Sequence, residues 1–193
     1  NQNIKFTSKQ FDYLMQTAPL IDSTNPDLKA FARSGGKLIM WQGWADTGSL
    51  PLAAVNYWDA VRKELGRKGN IDEFLKLYMI PGIGHCSGRA DYLTPLMDWV
   101  EKGIEPGRVV VTAPASRDGS TPEATRAAFP YPSVAKYTGK GDPADADNWV
   151  KAKPKHRYED HFEWLGSKHY KPKWQQWCEQ DGLKLVCSSK PKR

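Results

Sequence analysis

Two polar residues in this 193-residue chain stand where an acid and a base could work together. Asp46 comes a few residues after the run Lys37-Leu38-Ile39-Met40-Trp41-Gln42, and His85 follows a second run, Phe74 to Ile80. Both runs are short and mostly apolar, the pattern of a buried strand. A carboxylate and an imidazole after successive strand ends can activate a hydroxyl nucleophile. The imidazole takes the hydroxyl proton, while the carboxylate fixes the imidazole tautomer and stabilises the imidazolium that forms. Gly82 and Gly84 let the His85 loop turn tightly. Each residue alone has an ordinary reading, a satisfied structural histidine and a turn-capping aspartate. Their shared placement after parallel strands favours the catalytic one.

The nucleophile itself is missing from the pattern. A nucleophile elbow has the form G-x-S-x-G at a strand-to-helix turn, and the sequence contains none. Ser34 lacks the upstream glycine, Ser49 lies just past Asp46, and Ser87 follows the histidine in the wrong topological position. His156, His161 and His169 all fall in the tail, and their spacing does not line one helical face as a metal site would need.

The elements that must position Asp46 and His85 can be read around them. Lys9 to Gln16 reads as a short helix. Pro51 suits the first position of a helix that carries Ala54, Tyr57, Trp58 and Val61 at helical spacing and ends near Leu65-Gly66. Residues 91–103 read as a further helix with Leu93, Leu96, Met97 and Val100 on one face. Val109-Val110-Val111 reads as a third strand. Strand, helix, strand, helix implies an α/β fold with a parallel sheet covered on its faces. Ligands of such sheets sit outside the carboxyl ends of the strands, so Asp46 and His85 are expected in one crevice. Residues 113–150, rich in Pro, Gly, Asp and Ser, read as an ordered loop region. Residues 151–193 form a basic tail with Trp164, Trp174 and Trp177.

Composition is that of a globular protein, 39% hydrophobic and 26% charged. No run approaches the roughly 18 apolar residues of a membrane helix, and the first residues have no signal-peptide pattern. The chain begins at Asn1 without a methionine, which suggests a piece of a longer chain. The net charge of +6 arises wholly in the tail, which holds 11 basic and 5 acidic residues against 17 of each in residues 1–150. The tail is read as a solvated extension rather than a nucleic-acid surface. Of three cysteines, Cys178 and Cys187 are close enough to pair with each other, leaving Cys86 either for a partner outside the chain or as a free buried thiol.

These motifs together resemble the tannase and feruloyl esterase family. The resemblance rests on Gly35-Gly36-Lys37-Leu38-Ile39, Gly43-Trp44-Ala45-Asp46, Pro51 and Pro81-Gly82-Ile83-Gly84-His85-Cys86. Thr24 to Leu28, Asp98 to Gly103, Tyr131-Pro132 and Tyr137 to Asp142 extend it over roughly residues 20–150. It implies the C-terminal portion of an α/β-hydrolase sheet, parallel strands with flanking helices, over residues 1–150, followed by the extension 151–193. It implies a serine carboxylesterase acting on phenolic or aromatic acid esters, incomplete in this chain, with Asp46 as triad acid and His85 as base. The serine would lie in a missing N-terminal half, the expected partner, where a cysteine beside that serine would pair with Cys86. The family's calcium belongs to a lid absent here, so no metal or cofactor is expected in this chain. Secretion or a periplasmic location follows from the family and the cysteines. The competing reading is a non-catalytic binding protein that keeps half of a hydrolase fold, its tail using aromatic and basic side chains to stack a ligand.

Overall fold

The computed structural model describes residues 7–15, 23–66, 68–116, 118–155, 177–181 and 184–188. The chain divides into two compact units. One is Pro26–Asp160; the other joins Asn1–Asn25 with His161–Arg193.

The first unit is built on a β–α–β crossover. After the short helix α2 (Lys29–Arg33), strand β1 (Leu38–Gly43) leads into helix α3 (Pro51–Leu65) and then strand β2 (Leu75–Ile80). β1 and β2 pair in parallel, with Leu38 opposite Leu75 and Gly43 opposite Ile80. Pro51 occupies the first turn of α3, where its missing N–H costs nothing, and Gly66 ends the helix at φ 70°. Val55, Trp58 and Val61 recur along one face of α3 and are buried against Leu75 and Leu77, with Leu38 and Met40 packed beside them. The other face of the strands, Ile39 with Tyr78 and Ile80, packs against Val109, Val111 and Ala128. Alternation along each strand thus feeds two cores, and a fully buried side chain such as Leu77 contributes about 1.5–3 kcal/mol. Among the described residues the far edge of β1 carries no strand.

Three features differ from the sequence expectation. β3 (Val109–Ala113) does not extend the parallel pair; it runs antiparallel to β4 (Ala124–Ala128). Residues 113–150, expected as loop, contain β4, β5 (Val134–Tyr137) and the start of β6 (Trp149–Ala152), with β5 and β6 antiparallel. The Pro, Gly and Asp residues there mark the turns between strands of only four or five residues. In helix α4 (Leu93–Lys102) the buried residue is Trp99, while Leu93, Met97 and Val100 are exposed. The ammonium groups of Lys37 and Lys76 lie 5.0 and 5.6 Å from the buried Trp99 ring, within cation–π range. Lys76 is itself buried in β2 and is paired with Glu105 at 2.8 Å.

The second unit holds α1 (Ser8–Met15), one residue from its expected place at either end, and an antiparallel pair, β7 (Trp177–Asp181) with β8 (Lys184–Ser188). Residues 156–176, with the three tail histidines and with Trp164 and Trp174, lie outside the described residues.

Candidate active site

β1 ends at Gly43, and its chain continues into the acid loop; β2 ends at Ile80 and continues into the histidine loop. Two backbone bonds zip the loops together. The Trp44 amide donates to the Ile80 carbonyl at 2.9 Å, and the Ala45 amide donates to the Ile83 carbonyl at 3.0 Å. So close an approach needs glycine at Gly43, where a Cβ would overlap the Ile83 carbonyl. Ile83 is buried and anchors the histidine loop in the core. Further on, Arg89 and Thr112 exchange amide-to-carbonyl bonds of 2.9 and 2.8 Å, tying the end of the loop to β3. Between these anchors the Ser87 hydroxyl donates to the Gly84 carbonyl at 3.1 Å and accepts from the Gly84 amide at 2.9 Å. Ser87 is therefore spent on shaping the turn.

The loops bring Asp46 and His85 into contact across 39 positions of sequence. His85 Nδ1 lies 3.2 Å from both carboxylate oxygens of Asp46. The carboxylate is buried, while the imidazole is 58% exposed. A buried acid holding one ring nitrogen of an accessible imidazole leaves the other free for a substrate or nucleophile. Asp46 Oδ1 accepts from the backbone N–H groups of Gly48 (2.8 Å) and Ser49 (2.9 Å), and Oδ2 accepts from Gln42 Nε2 (2.9 Å). These donors, Ser49 first, hold the Asp46 carboxyl down at about 2 against the opposing effect of burial. The acid is ionised throughout the neutral range.

Of the residues singled out in the sequence, Asp46 and His85 meet. Cys86 follows the histidine as a free, exposed thiol, with its backbone at φ 51°. Cys178 and Cys187 stand directly opposite each other in the β7–β8 ladder. Gln42 was not singled out, although an amide ending an otherwise apolar strand is a visible signal. Among the described residues no three His, Cys, Asp or Glu side chains converge as metal ligands. Beside the two loops is an apolar cavity of about 400 Å³, lined by Trp44, Leu52, Met79, Pro81, Tyr131 and Pro132 among others.

Comparison with known proteins finds related sequences and structures. The family model described as tannase and feruloyl esterase matches residues 1–152. A probable feruloyl esterase of Arthroderma benhamiae is 38% identical over 137 residues, which are 67% of this chain and 25% of that protein. The mono(2-hydroxyethyl) terephthalate hydrolase of Piscinibacter sakaiensis is 34% identical over 138 residues, 68% of this chain and 22% of its own length. The chain thus spans about a quarter of the length of these relatives. Among solved structures, feruloyl esterase B of Aspergillus oryzae aligns with a TM-score of 0.64 at 24% identity, covering 79% of this chain and 34% of that one. An esterase of the same organism aligns equally well at 22% identity, covering 77% of this chain and 34% of its own. These likenesses show a shared fold.

Proposed function

This chain belongs to the tannase and feruloyl esterase family, as its sequence motifs suggested, and from that premise we propose that it carries the base and the acid of a serine carboxylesterase acting on esters of phenolic or other aromatic acids. The observation that carries the reading is the Asp46–His85 contact at 3.2 Å between a buried carboxylate and an accessible imidazole. In this reading His85 Nε2 takes the proton of a serine hydroxyl as that oxygen attacks the ester carbonyl. Asp46 holds Nδ1–H and balances the imidazolium. His85 then gives its proton to the departing alcohol, leaving an acyl-enzyme. Water attacks the acyl carbon as His85 takes its proton; His85 then returns that proton to the departing serine oxygen, which frees the serine and releases the carboxylic acid.

The serine is assigned to polypeptide outside these 193 residues. Two facts support this: the absence of a G-x-S-x-G elbow, and relatives about four times as long as the matched segment. Residues 1–150 are then the C-terminal portion of an α/β-hydrolase domain and 151–193 an extension of it. Cys86, exposed beside His85, is suited to a disulfide with a cysteine next to that serine, which would tie the base to the nucleophile. Such a disulfide fits a secreted or periplasmic enzyme.

The test is ester turnover by the complete polypeptide and its His85→Ala variant, with methyl esters of hydroxycinnamic and gallic acids as substrates. His85→Ala is expected to lower kcat by several orders of magnitude, the scale of triad removals, with substrate still bound. Near-normal turnover in the variant would remove His85 from the mechanism. No turnover in either form, with the aryl ester still bound, would leave a binding protein on half of a hydrolase fold.

A further inference from the structure

We infer that Gln42 is a positioning residue for the Asp46–His85 pair, fixing the plane of the carboxylate and through it the tautomer of the imidazole. The inference rests on the esterase reading only for its effect on turnover; its geometric basis is independent of any substrate.

Leu38, Met40 and Gln42 share one face of β1, and the first two pack against the α3 core. The row turns from apolar to amide at its last position, four residues before the acid. Gln42 is partly buried, and its Nε2 lies 2.9 Å from Asp46 Oδ2 and 3.3 Å from the Ser49 carbonyl. With the Gly43 carbonyl at 3.5 Å, three acceptors around one nitrogen settle which way the amide points; flipped, its Oε1 would face a carboxylate and two carbonyls. Gln42 thus grips the acid and the backbone of the acid loop with the same group.

The grip matters because the other fixed donors are one-sided. Both backbone amides, from Gly48 and Ser49, bind Oδ1. Apart from His85, Gln42 is the described partner of Oδ2. A carboxylate held at one oxygen turns readily about its terminal torsion, which is broad for Asp. Held at both, it presents a defined edge to Nδ1 of His85, which sits 3.2 Å from each oxygen. That edge makes Nδ1 the protonated nitrogen in the neutral ring and leaves Nε2 as the acceptor that a base needs.

The experiment replaces Gln42 by Met, of similar length but without a donor, and separately by Asn, whose amide is too short to reach Oδ2. The ring ¹⁵N resonances of His85 in this chain report its tautomer, and kcat and KM are measured in the complete polypeptide. Expected are a single Nδ1–H tautomer in the parent chain and a mixed population in both variants. Turnover is expected to fall about 10- to 100-fold in kcat with KM little changed, the scale for loss of an orienting partner. An unchanged tautomer in a folded variant, or an unchanged kcat in an active one, would overturn the inference; should Gln42→Met fail to fold, Gln42→Asn decides. The two readings fail separately. A Gln42-dependent tautomer in a protein without ester turnover keeps this inference and removes the esterase. Turnover that depends on His85 but not on Gln42 does the reverse.

Discussion

Gly48 lies against the imidazole of His85: a Cβ placed on Gly48 would sit 3.1 Å from Nδ1, 3.3 Å from Cγ and 3.4 Å from Asp46 Oδ1. The glycine that donates its N–H to the acid is also the floor on which the base rests. Gly48→Ala should therefore displace the ring by a few tenths of an ångström while leaving the loop foldable. About tenfold lower kcat is expected, with the melting temperature nearly unchanged, since small misplacements at the chemistry are expensive. Parallel kinetics and thermal melts on the complete polypeptide check this. Full activity would mean that the ring has slack.

Asp46 also makes a prediction about acid. Its carboxyl is depressed from 3.8 to about 2, chiefly by the Ser49 amide. A depressed carboxyl stabilises the fold above its unfolded value, and that stability is lost as pH falls through the folded one. The contribution should be complete above about pH 4 and gone near pH 2. Asp46→Asn should flatten the stability curve across that window. Some slope remains, because Asp118 is also held down at about 2 by the hydroxyl and amide donors around it. Denaturant melts from pH 2 to 5 give the comparison, and an Asn variant with the parental slope would count against it. The same variant should lose about 10⁴-fold in kcat, the scale of a triad left with the wrong tautomer.

Helix α4 offers a stability contrast. Trp99 is buried under two lysines, while Met97 and Val100 face outward. Trp99→Ala should cost about 3–5 kcal/mol. Met97→Ala should stay within about 0.5 kcal/mol. Unfolding of this chain in urea separates the two, and equal losses would place the apolar row of α4 in the core after all.

The β7–β8 ladder places Cys178 opposite Cys187 in backbone register. Directly opposed residues of an antiparallel pair have Cα atoms about 4.5–5.5 Å apart, within the range of a disulfide. Incubation with oxidised glutathione should remove two hydrogen atoms from the mass of this chain as these thiols pass their electrons to it. Cys86 should remain open to alkylation, since its proposed partner lies elsewhere. A peptide map linking Cys86 to either tail cysteine would break both assignments.

How much of this could be read from sequence depended on how strongly each segment declares its own geometry. β1, α3 and β2 declare themselves: two apolar runs, a helix-starting Pro51 and a helix-ending Gly66 fix the crossover, and with it the meeting of Asp46 and His85. β4 was hidden because Ala124-Thr125-Arg126-Ala127-Ala128 carries little β-branched or aromatic bulk; its strand form comes from pairing with β3. The outward face of α4 was misread because amphipathic spacing cannot say that a tryptophan between two lysines will be taken inward instead. Gln42 passed unnoticed since its role lies in the direction of one amide, which only the folded loop defines. The β7–β8 pair was masked by the charge of the tail around it.

The parallel crossover has an evolutionary side. Because acid and base follow the carboxyl ends of the two strands of one β–α–β unit, what sets their distance lies mainly between Leu38 and Arg89, in the two strands, the helix and the zipped loops, with β3 tied on through Thr112. The pair is inherited as a block. Recombination with a joint outside Leu38–Ala113 moves the two residues together and keeps their spacing, while the segments around them can be exchanged. In the proposed esterase, a change of substrate then leaves the Asp46–His85 pair intact.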